Sequence, residues 1–286
     1  MSGRGLRAVA AAGLFDRPRY EVLPTASVVE RACAAVPKSV TLSVTASPSK
    51  GLDTTLQVTE QLAAEGYRAV PHLSARLVAD NRHLEEIAAR LAAKGIEEVF
   101  VPAGDADPPA GAFEGALPVL VRLAEMGRPF RVGITGYPES HPRIDDDLTI
   151  QAMWDKRLFA DYIVSNLCLD PKVLSSWIHR VRRRGVDLPL YLGLAGPVER
   201  TKLLSIASKI GVSESTRFFA RHIAWFARFG APGGYSPERF IERLAGALTA
   251  PEAAVAGFHV FTFNQLAETE AWRRSLLERF SLAATS

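Results

Sequence analysis

Short runs of β-branched and aliphatic residues alternate along the chain with longer segments in which apolar residues recur every three or four positions. The short runs are typical of buried strands, and the longer periodic segments are typical of amphipathic helices. The predicted strands are Arg19–Leu23, Ser39–Thr45, Arg68–Ser74, Glu98–Val101, Phe130–Thr135, Tyr162–Leu169, Leu190–Leu194 and Phe258–Phe263. Their alternation with helices favours an α/β fold built from repeated βαβ units.

Glycine marks the ends of several predicted helices, because it accepts the left-handed conformation that often follows a helix. The helices predicted on this signal are Asp53–Glu65, Asn81–Lys94, Leu117–Met126 and Pro171–Arg184, each followed directly by glycine.

No linker rich in proline, serine or glycine divides the 286 residues. Eight strand and helix alternations therefore favour a single (β/α)8 TIM barrel over residues 1–286 rather than two doubly wound halves. The spacing is irregular within Ser213–Leu248, where the segments TRFFARHIAWFARFG and PERFIERLAGAL predict extra helices between strands seven and eight. We expect these helices to cover one side of the barrel mouth.

The composition is that of an ordinary globular protein, with 48% hydrophobic residues, 34 basic and 31 acidic side chains, and a net charge of +3. The one dense basic run, Arg180–Arg184, has no interleaved aromatic residues. It predicts a solvated helix end, with contact to a phosphate or polyglutamate group as the alternative. No nucleic-acid partner is expected.

The cysteines and the hydropathy of the chain indicate its cellular compartment. Cys33 and Cys168 lie far apart among apolar neighbours, which favours neither a metal pair nor a disulfide framework. Charges interrupt every apolar stretch before about 18 residues, and Met1–Phe15 lacks the pattern of a cleaved signal. These features predict a cytoplasmic protein without a membrane span.

Candidate chemistry is expected at the carboxyl ends of the strands, where parallel barrels build their active sites. Two of the polar residues there, Glu21 and Asp105, are carboxylates, and burial of one near the other would raise a pKa enough for general acid catalysis. The full set of strand-end residues is Glu21, Thr45, His72, Asp105, Tyr137 with His141, Asn166, Thr262 and Asn264.

Several of these residues have a structural alternative. Glu21 is either a catalytic acid or a member of a buried ion pair. Asp105 either takes part in chemistry or caps the turn made by Gly104. His72, directly after Val70-Pro71, is also explained as a hydrogen-bonded core histidine.

Metal and phosphate motifs are missing from the sequence. No HxxxH or HxH spacing occurs, so no metal site is predicted, and four further histidines are interpreted as structural or surface groups: His83, His179, His222 and His259. GxGxxG and GxxxxGK[ST] are also absent, which argues against a Rossmann or P-loop site. The residues alone thus predict a barrel enzyme with an acid-rich mouth and no metal.

The ordered strand-end motifs resemble those of the methylenetetrahydrofolate reductase family over nearly the whole chain. The most specific is Gly136-Tyr137-Pro138-Glu139-Ser140-His141-Pro142. The others are Tyr20-Glu21-Val22-Leu23-Pro24, Ser43-Val44-Thr45, Val70-Pro71-His72-Leu73, Gly104-Asp105 and Phe258-His259-Val260-Phe261-Thr262-Phe263-Asn264. The resemblance implies a TIM barrel that reduces 5,10-methylenetetrahydrofolate to 5-methyltetrahydrofolate.

By this resemblance Glu21 is the general acid that protonates N10 of the folate, so that the imidazolidine ring opens to an N5 iminium. Asp105 lies beside the pterin and stabilises developing positive charge. Asn166 replaces a glutamine that binds the pterin, and Thr45 and Phe263 are assigned to the substrate side. Gln265 replaces an arginine near the folate tail, whose role is expected to pass to Arg200 or Lys202.

Departures from the family pattern concern the flavin. Members that hold FAD place an arginine before Gly-Asp and an Arg-Lys pair before strand six. These positions fall on Ala103 and Trp154-Asp155, or on Lys156-Arg157 if the pair slips by two residues. Without these cations FAD is not expected.

The sequence instead resembles a flavin-independent branch of the family, in which NADH or NADPH passes hydride directly to the folate. His72, Tyr137 and His141 would then line the nicotinamide. An FAD-dependent reductase and a non-catalytic folate-binding barrel are the alternatives, and the retained Glu21 speaks against the second. The choice between NADH and NADPH stays open, as does the oligomeric state.

Overall fold

Eight parallel strands form the centre of the protein in a computed structural model that describes residues 13–139, 146–198 and 236–285. In chain order the strands are β1 (Arg19–Val22), β2 (Thr41–Val44), β3 (Ala69–Pro71), β4 (Glu98–Phe100), β5 (Arg131–Gly136), β6 (Tyr162–Ser165), β7 (Leu190–Ala195) and β8 (Val255–Phe261). Each predicted strand is present, with ends that shift by a few residues. The predicted α/β barrel class is confirmed.

The sheet order shows how the barrel closes. The strands follow the order β3-β2-β1-β8-β7-β6-β5-β4, so the first and last strands of the chain pair in the middle of this series. β3 and β4 then meet through a parallel bridge between His72 and Phe100. Next to it, the Leu73 amide donates to the Phe100 carbonyl at 2.7 Å. These bonds complete the ring of strands.

Helices connect the strands on the outside of the barrel. The described helices are α1 (Val28–Ala35), α2 (Gly51–Ala64), α3 (Asn81–Ala93), α4 (Ala116–Glu125), α5 (Asp146–Lys156), α6 (Pro171–Arg183), α7 (Pro237–Leu248) and α8 (Leu266–Thr285). The four helices predicted from glycine signals are all present. Gly95 and Gly185 follow α3 and α6 with φ values of +69° and +82°, as the signal requires.

Local sequence fixes the start of α6 especially clearly. The Asp170 carboxylate accepts from the amides of Lys172 and Val173 at 2.9 and 3.4 Å, and Pro171 occupies the first turn. This cap satisfies amides that lack partners within the helix. Trp177 on the buried face of α6 then packs its ring against Gly136 of β5.

Of the two helical segments predicted between β7 and β8, one is observed as α7. It packs beside α6 through an apolar face that includes Phe240, Ile241 and Leu244. The other segment, residues 216–230, lies outside the described residues. Within the described ranges, no helix combines the length and the apolar character that crossing a bilayer requires.

The amino-terminal end of the barrel interior is filled by paired charges. Arg19 of β1 lies 2.5 Å from Glu98 of β4, and its guanidinium donates to the Tyr162 hydroxyl at 3.0 Å. Arg131 reaches the same carboxylate at 3.3 Å. Burial alone raises the pKa of Glu98, but Arg19, the hydrogen bond from Tyr162 and Arg131 together outweigh it and hold the pKa below its usual value. The candidate site lies next to this cluster, toward the carboxyl ends of the strands.

Candidate functional site

Glu21 lies inside the barrel near the carboxyl end of β1. Its Oε2 is 3.1 Å from Nε2 of His259 on β8, which is a hydrogen-bonding distance. The Glu21 side chain is 19% exposed, whereas that of His259 is 1% exposed. The imidazole therefore supports the carboxyl group from below, and the carboxyl group keeps access to the mouth.

The contact between His259 and Glu21 was not predicted from the sequence. The histidine spacing led us to interpret His259 as a structural or surface group, and the structure shows that it is buried against Glu21. The missing signal was strand alternation. His259 lies two positions before Phe261, which pairs with Glu21 in the β1–β8 register, so its side chain points to the same face.

The imidazole proton can be assigned from the surroundings of the ring. Nδ1 of His259 is buried and has no hydrogen-bond partner among the described residues. A neutral imidazole has one donor and one acceptor nitrogen, so the proton belongs on Nε2, where Glu21 accepts it. With Oε2 held in this way, Oε1 is the oxygen of Glu21 that can carry a transferable proton.

The end of β8 braces the backbone of β1. The Thr262 hydroxyl donates to the Glu21 carbonyl at 2.6 Å, and the Asn264 amide both accepts from the Leu23 amide at 2.8 Å and donates to its carbonyl at 3.0 Å. Thr262 and Asn264 are buried. The sequence placed both in the polar mouth, but these contacts turn them toward β1. They hold Glu21 in position.

Phe263 and Asn264 adopt φ values of +49° and +59° in this turn. Two successive non-glycine residues in the left-handed region cost about 1 kcal/mol or more each, so other bonds must hold them there. The paired bonds from Asn264 to Leu23 supply that constraint. Phe263 is half-buried in this turn, and its assignment to the substrate side stays a prediction.

His72 lies at the end of β3 and is 7% exposed. Its Nε2 is 2.8 Å from the Ser43 hydroxyl, and its ring centroid is 4.7 Å from that of Phe100. Burial lowers the pKa of His72 to about 4; the nearby Glu21 carboxylate opposes this shift, and the neighbouring His259 and Arg19 add to it. His72 is thus neutral at neutral pH. Its predicted place beside a nicotinamide stays a prediction.

Tyr137 and Asn166 are neighbours at the ends of β5 and β6. The register pairs Gly136 with Ser165 directly before them, and the Asn166 amide donates to the Gly136 carbonyl at 2.7 Å. The side-chain oxygen of Asn166 accepts from the Leu167 amide at 2.8 Å. Since that oxygen is engaged, Asn166 offers a ligand mainly its NH2 group, which is a donor.

An apolar wall lies between this pair and Glu21. It is formed by Leu167, Leu169 and Ala195 with the partly buried rings of Phe261 and Phe263. The Phe261 ring also meets the His259 ring edge-on at 5.2 Å. Such a wall suits one face of a flat, aromatic ligand.

Gly193 of β7 makes room for this wall. A Cβ at this position would lie 2.4 Å from the Ser165 carbonyl oxygen and 2.9 Å from the Phe261 ring. Only glycine allows β7 to approach both groups so closely.

Asp105 lies further out than Glu21, because it is exposed on the loop after β4. The loop packs onto the loop after β3, where Gly104, with φ +88°, lies directly over Ser74. Arg76 holds the loop by donating to the carbonyls of Ala106 and Glu114 at 2.5 and 3.2 Å. The role of Asp105 beside a pterin stays a prediction.

The remaining substrate-side residues are held mainly through their backbones. Thr45 is half-buried, and its carbonyl accepts from the Thr55 hydroxyl at 2.8 Å. Gln265 lies directly before α8, and its amide donates to the Thr262 carbonyl at 2.8 Å. Their ligand contacts stay predictions. Three further predicted residues lie outside the described residues: His141, Arg200 and Lys202.

The positions considered for a flavin pyrophosphate have other contacts. The Ala103 carbonyl, on the loop after β4, accepts from the Arg76 amide at 3.0 Å. Trp154 and Asp155 are in the last turn of α5, which leads into the amino end of β6 and so lies away from the mouth. Asp155 accepts from Gln151 at 2.7 Å. Of these positions, Ala103 is therefore the one that lies at the mouth, and its side chain carries no charge that could bind a pyrophosphate.

No group of three or more His, Cys, Asp or Glu side chains within the described ranges has a geometry that could hold a metal ion. The fold and the mouth together define a (β/α)8-barrel protein with a carboxyl–imidazole pair at the carboxyl ends of its strands. The family model described as methylenetetrahydrofolate reductase matches residues 21–224. The chain belongs to the methylenetetrahydrofolate reductase family.

Individual relatives are more distant. Methylenetetrahydrofolate reductase 2 from Saccharomyces cerevisiae is 28% identical over 92 residues, which cover 30% of this chain and 15% of that protein. A candidate lyase or mutase from Burkholderia cenocepacia has a TM-score of 0.49 at 18% identity, covering 99% of this chain and 87% of the other. Dihydropteroate synthase from Thermus thermophilus has a TM-score of 0.46 at 14% identity, with 94% of both chains covered. At these scores neither structure bears on function.

Proposed function

We propose that this protein reduces 5,10-methylenetetrahydrofolate to 5-methyltetrahydrofolate with hydride from NADH or NADPH. The observation that carries the proposal is the position of Glu21. It is a partly exposed carboxyl group at a strand end, within the family match, and its Oε2 is hydrogen-bonded to the buried His259. A pocket that only bound folate would not need a supported acid at this position.

Glu21 supplies the proton of the reaction. Its Oε1–H donates to N10 of the folate, the bond from the bridging carbon to N10 breaks, and an N5 iminium forms. Hydride from nicotinamide C4 then adds to the exocyclic carbon and gives the 5-methyl group. The carboxylate left on Glu21 is stabilised by the Nε2–H of His259, a charge-assisted hydrogen bond. Solvent at the mouth returns the proton.

The other side of the mouth orients the pterin. The Asn166 NH2 group donates to an acceptor on the pterin ring, and the wall formed by Leu167, Leu169, Ala195, Phe261 and Phe263 packs against its face. Asp105 on the loop after β4 opposes the positive charge of the iminium.

We further propose that no flavin takes part. A flavin pyrophosphate needs cations at the mouth, and the residues at the relevant place do not fit one. Ala103 carries no charge, and the nearby Arg76 guanidinium is directed at the carbonyls of Ala106 and Glu114. The nicotinamide and the folate therefore bind together, and hydride passes directly between them.

The test is oxidation of NADH and of NADPH by purified protein, followed with and without 5,10-methylenetetrahydrofolate. We expect oxidation only in the presence of the folate, with 5-methyltetrahydrofolate as the product. Steady-state plots should intersect, as they do for a ternary complex. Parallel lines, or activity that appears only when FAD is added, would return the protein to the flavin-dependent alternative, and no turnover would favour a folate-binding barrel.

A further inference from the structure

A carboxylate outside the proposed catalytic pair connects two loops at the mouth. Oε1 of Glu139, on the loop after β5, accepts from the Leu169 amide at 2.9 Å and lies 3.4 Å from the Cys168 thiol, whose single proton it shares with the Asp170 carbonyl at 3.3 Å. Both donors belong to the loop after β6. Burial, together with the Glu139 carboxylate, raises the pKa of Cys168, so the thiol keeps its proton and remains a donor.

The two loops carry the neighbouring pair Tyr137 and Asn166. Tyr137 lies two residues before Glu139, and Asn166 lies three residues before Leu169. At the strand ends the loops are joined by the bond from the Asn166 amide to the Gly136 carbonyl. The Glu139 bonds join them a second time, beyond Tyr137 and Asn166. With two connections, the loops cannot move apart by rotating about the bond at the strand ends.

We infer that Glu139 is a positioning residue, which sets the separation between Tyr137 and Asn166 and so the width of the ligand site on this side. The inference rests on the proposed function, in which Asn166 binds the pterin, and on the place beside the nicotinamide that the family resemblance implies for Tyr137. Glu139 acts through these residues, since its carboxylate faces the loop backbone. Misplacement of a binding group by about 1 Å can cost up to about 100-fold in rate.

The chain offers a matched control for this role. The Asp170 carboxylate also accepts from two backbone amides, on the same loop, but both belong to α6. Asp170→Ala therefore removes comparable bonds without separating the loops. Glu139→Gln keeps an oxygen that accepts from Leu169, whereas Glu139→Ala keeps none.

The experiment measures kcat and KM for the folate and the nicotinamide in these three variants, with amide hydrogen exchange over residues 166–170. We expect Glu139→Ala to lower kcat/KM about tenfold or more, mainly by raising both KM values, and to speed exchange at Leu169. Glu139→Gln should keep most of the wild-type kcat/KM and most of the protection from exchange at Leu169. Asp170→Ala should lower the melting temperature but keep kcat/KM within about twofold.

The outcomes separate this inference from the proposed function. A wild-type protein without folate-dependent turnover overturns the proposed reaction and, with it, the effect on kcat/KM expected for Glu139→Ala. In that case, amide exchange at Leu169 still shows whether Glu139 connects the two loops. With an active wild type, an unchanged kcat/KM in Glu139→Ala overturns the positioning role alone. An equal loss in Asp170→Ala overturns it too, because general loop stability would then explain both.

Discussion

The Glu21 carboxylate and the His259 imidazole lie 3.1 Å apart although 238 positions separate them in the chain. They meet because β1 and β8, the first and last strands, pair in the closed barrel. In the proposed reaction, the Nε2–H of the buried His259 donates to the carboxylate that proton transfer leaves on Glu21.

Glu21→Gln should leave the fold intact and remove most turnover, because the amide keeps the shape of the side chain but carries no transferable proton. General acid catalysis contributes about 100- to 10,000-fold, and a loss in kcat of that size is expected. The measurement is steady-state kinetics beside circular dichroism. A variant that retains more than half of the wild-type kcat would remove Glu21 from the mechanism.

His259→Phe should lower kcat by about tenfold, because the carboxylate formed on Glu21 loses its charge-assisted hydrogen bond. His259→Gln, whose side-chain NH2 can still donate, should lose less. Kinetics of the two variants side by side check this expectation. Equal activity of His259→Phe and wild type would show that the pair does not serve the reaction.

Stability should fall as pH falls from 7 to 5, partly through His72. Its pKa is about 4 in the folded protein and about 6.5 when unfolded. Between these values the unfolded state binds more protons, so the free energy of unfolding rises with pH. His72 alone should contribute about 2 kcal/mol between pH 5 and pH 7.

Urea denaturation at the two pH values tests this contribution. His72→Gln keeps a group that can bond to Ser43 but does not titrate, so its free energy of unfolding should vary less with pH than that of wild type. The same pH dependence in both proteins would mean that folding does not lower the pKa of His72.

Gly193→Ala should lower both stability and kcat/KM, because the added Cβ would lie 2.4 Å from the Ser165 carbonyl and 2.9 Å from the Phe261 ring. Relief of the clash must move β6 near Asn166 or move Phe261. Gly246→Ala in α7 is the control, since no atom lies within 4 Å of its added Cβ, and a small gain in stability is expected there. Thermal melting and steady-state kinetics of both variants test this prediction. Wild-type values in Gly193→Ala would show that the apolar wall tolerates displacement.

Much of the fold could be predicted from the sequence, because strand and helix periodicity are local properties. The positions of Glu21 and Asn166 at strand ends followed from the same pattern. His259 could not be found by motif spacing, because its partner is fixed only when β1 pairs with β8. Strand alternation through Phe261 would have indicated which way it points.

For Thr262 and Asn264, the sequence predicted the position but not the direction of the side chains. Both are polar residues at the end of β8, and the rule for strand ends placed them in the mouth. The left-handed turn at Phe263 and Asn264 instead turns them toward the backbone of β1. A pair of non-glycine residues with positive φ has no reliable sequence signal, so this orientation required the structure.

Isotope transfer tests whether hydride passes directly from the nicotinamide to the folate. The protein, stripped of any flavin, is supplied with 5,10-methylenetetrahydrofolate and with the nicotinamide that supports turnover, deuterated at both C4 positions. With direct transfer, we expect one deuterium in the 5-methyl group of the product, with almost none lost to water and no requirement for FAD. A methyl group without deuterium, or turnover that returns only when FAD is added, would contradict it.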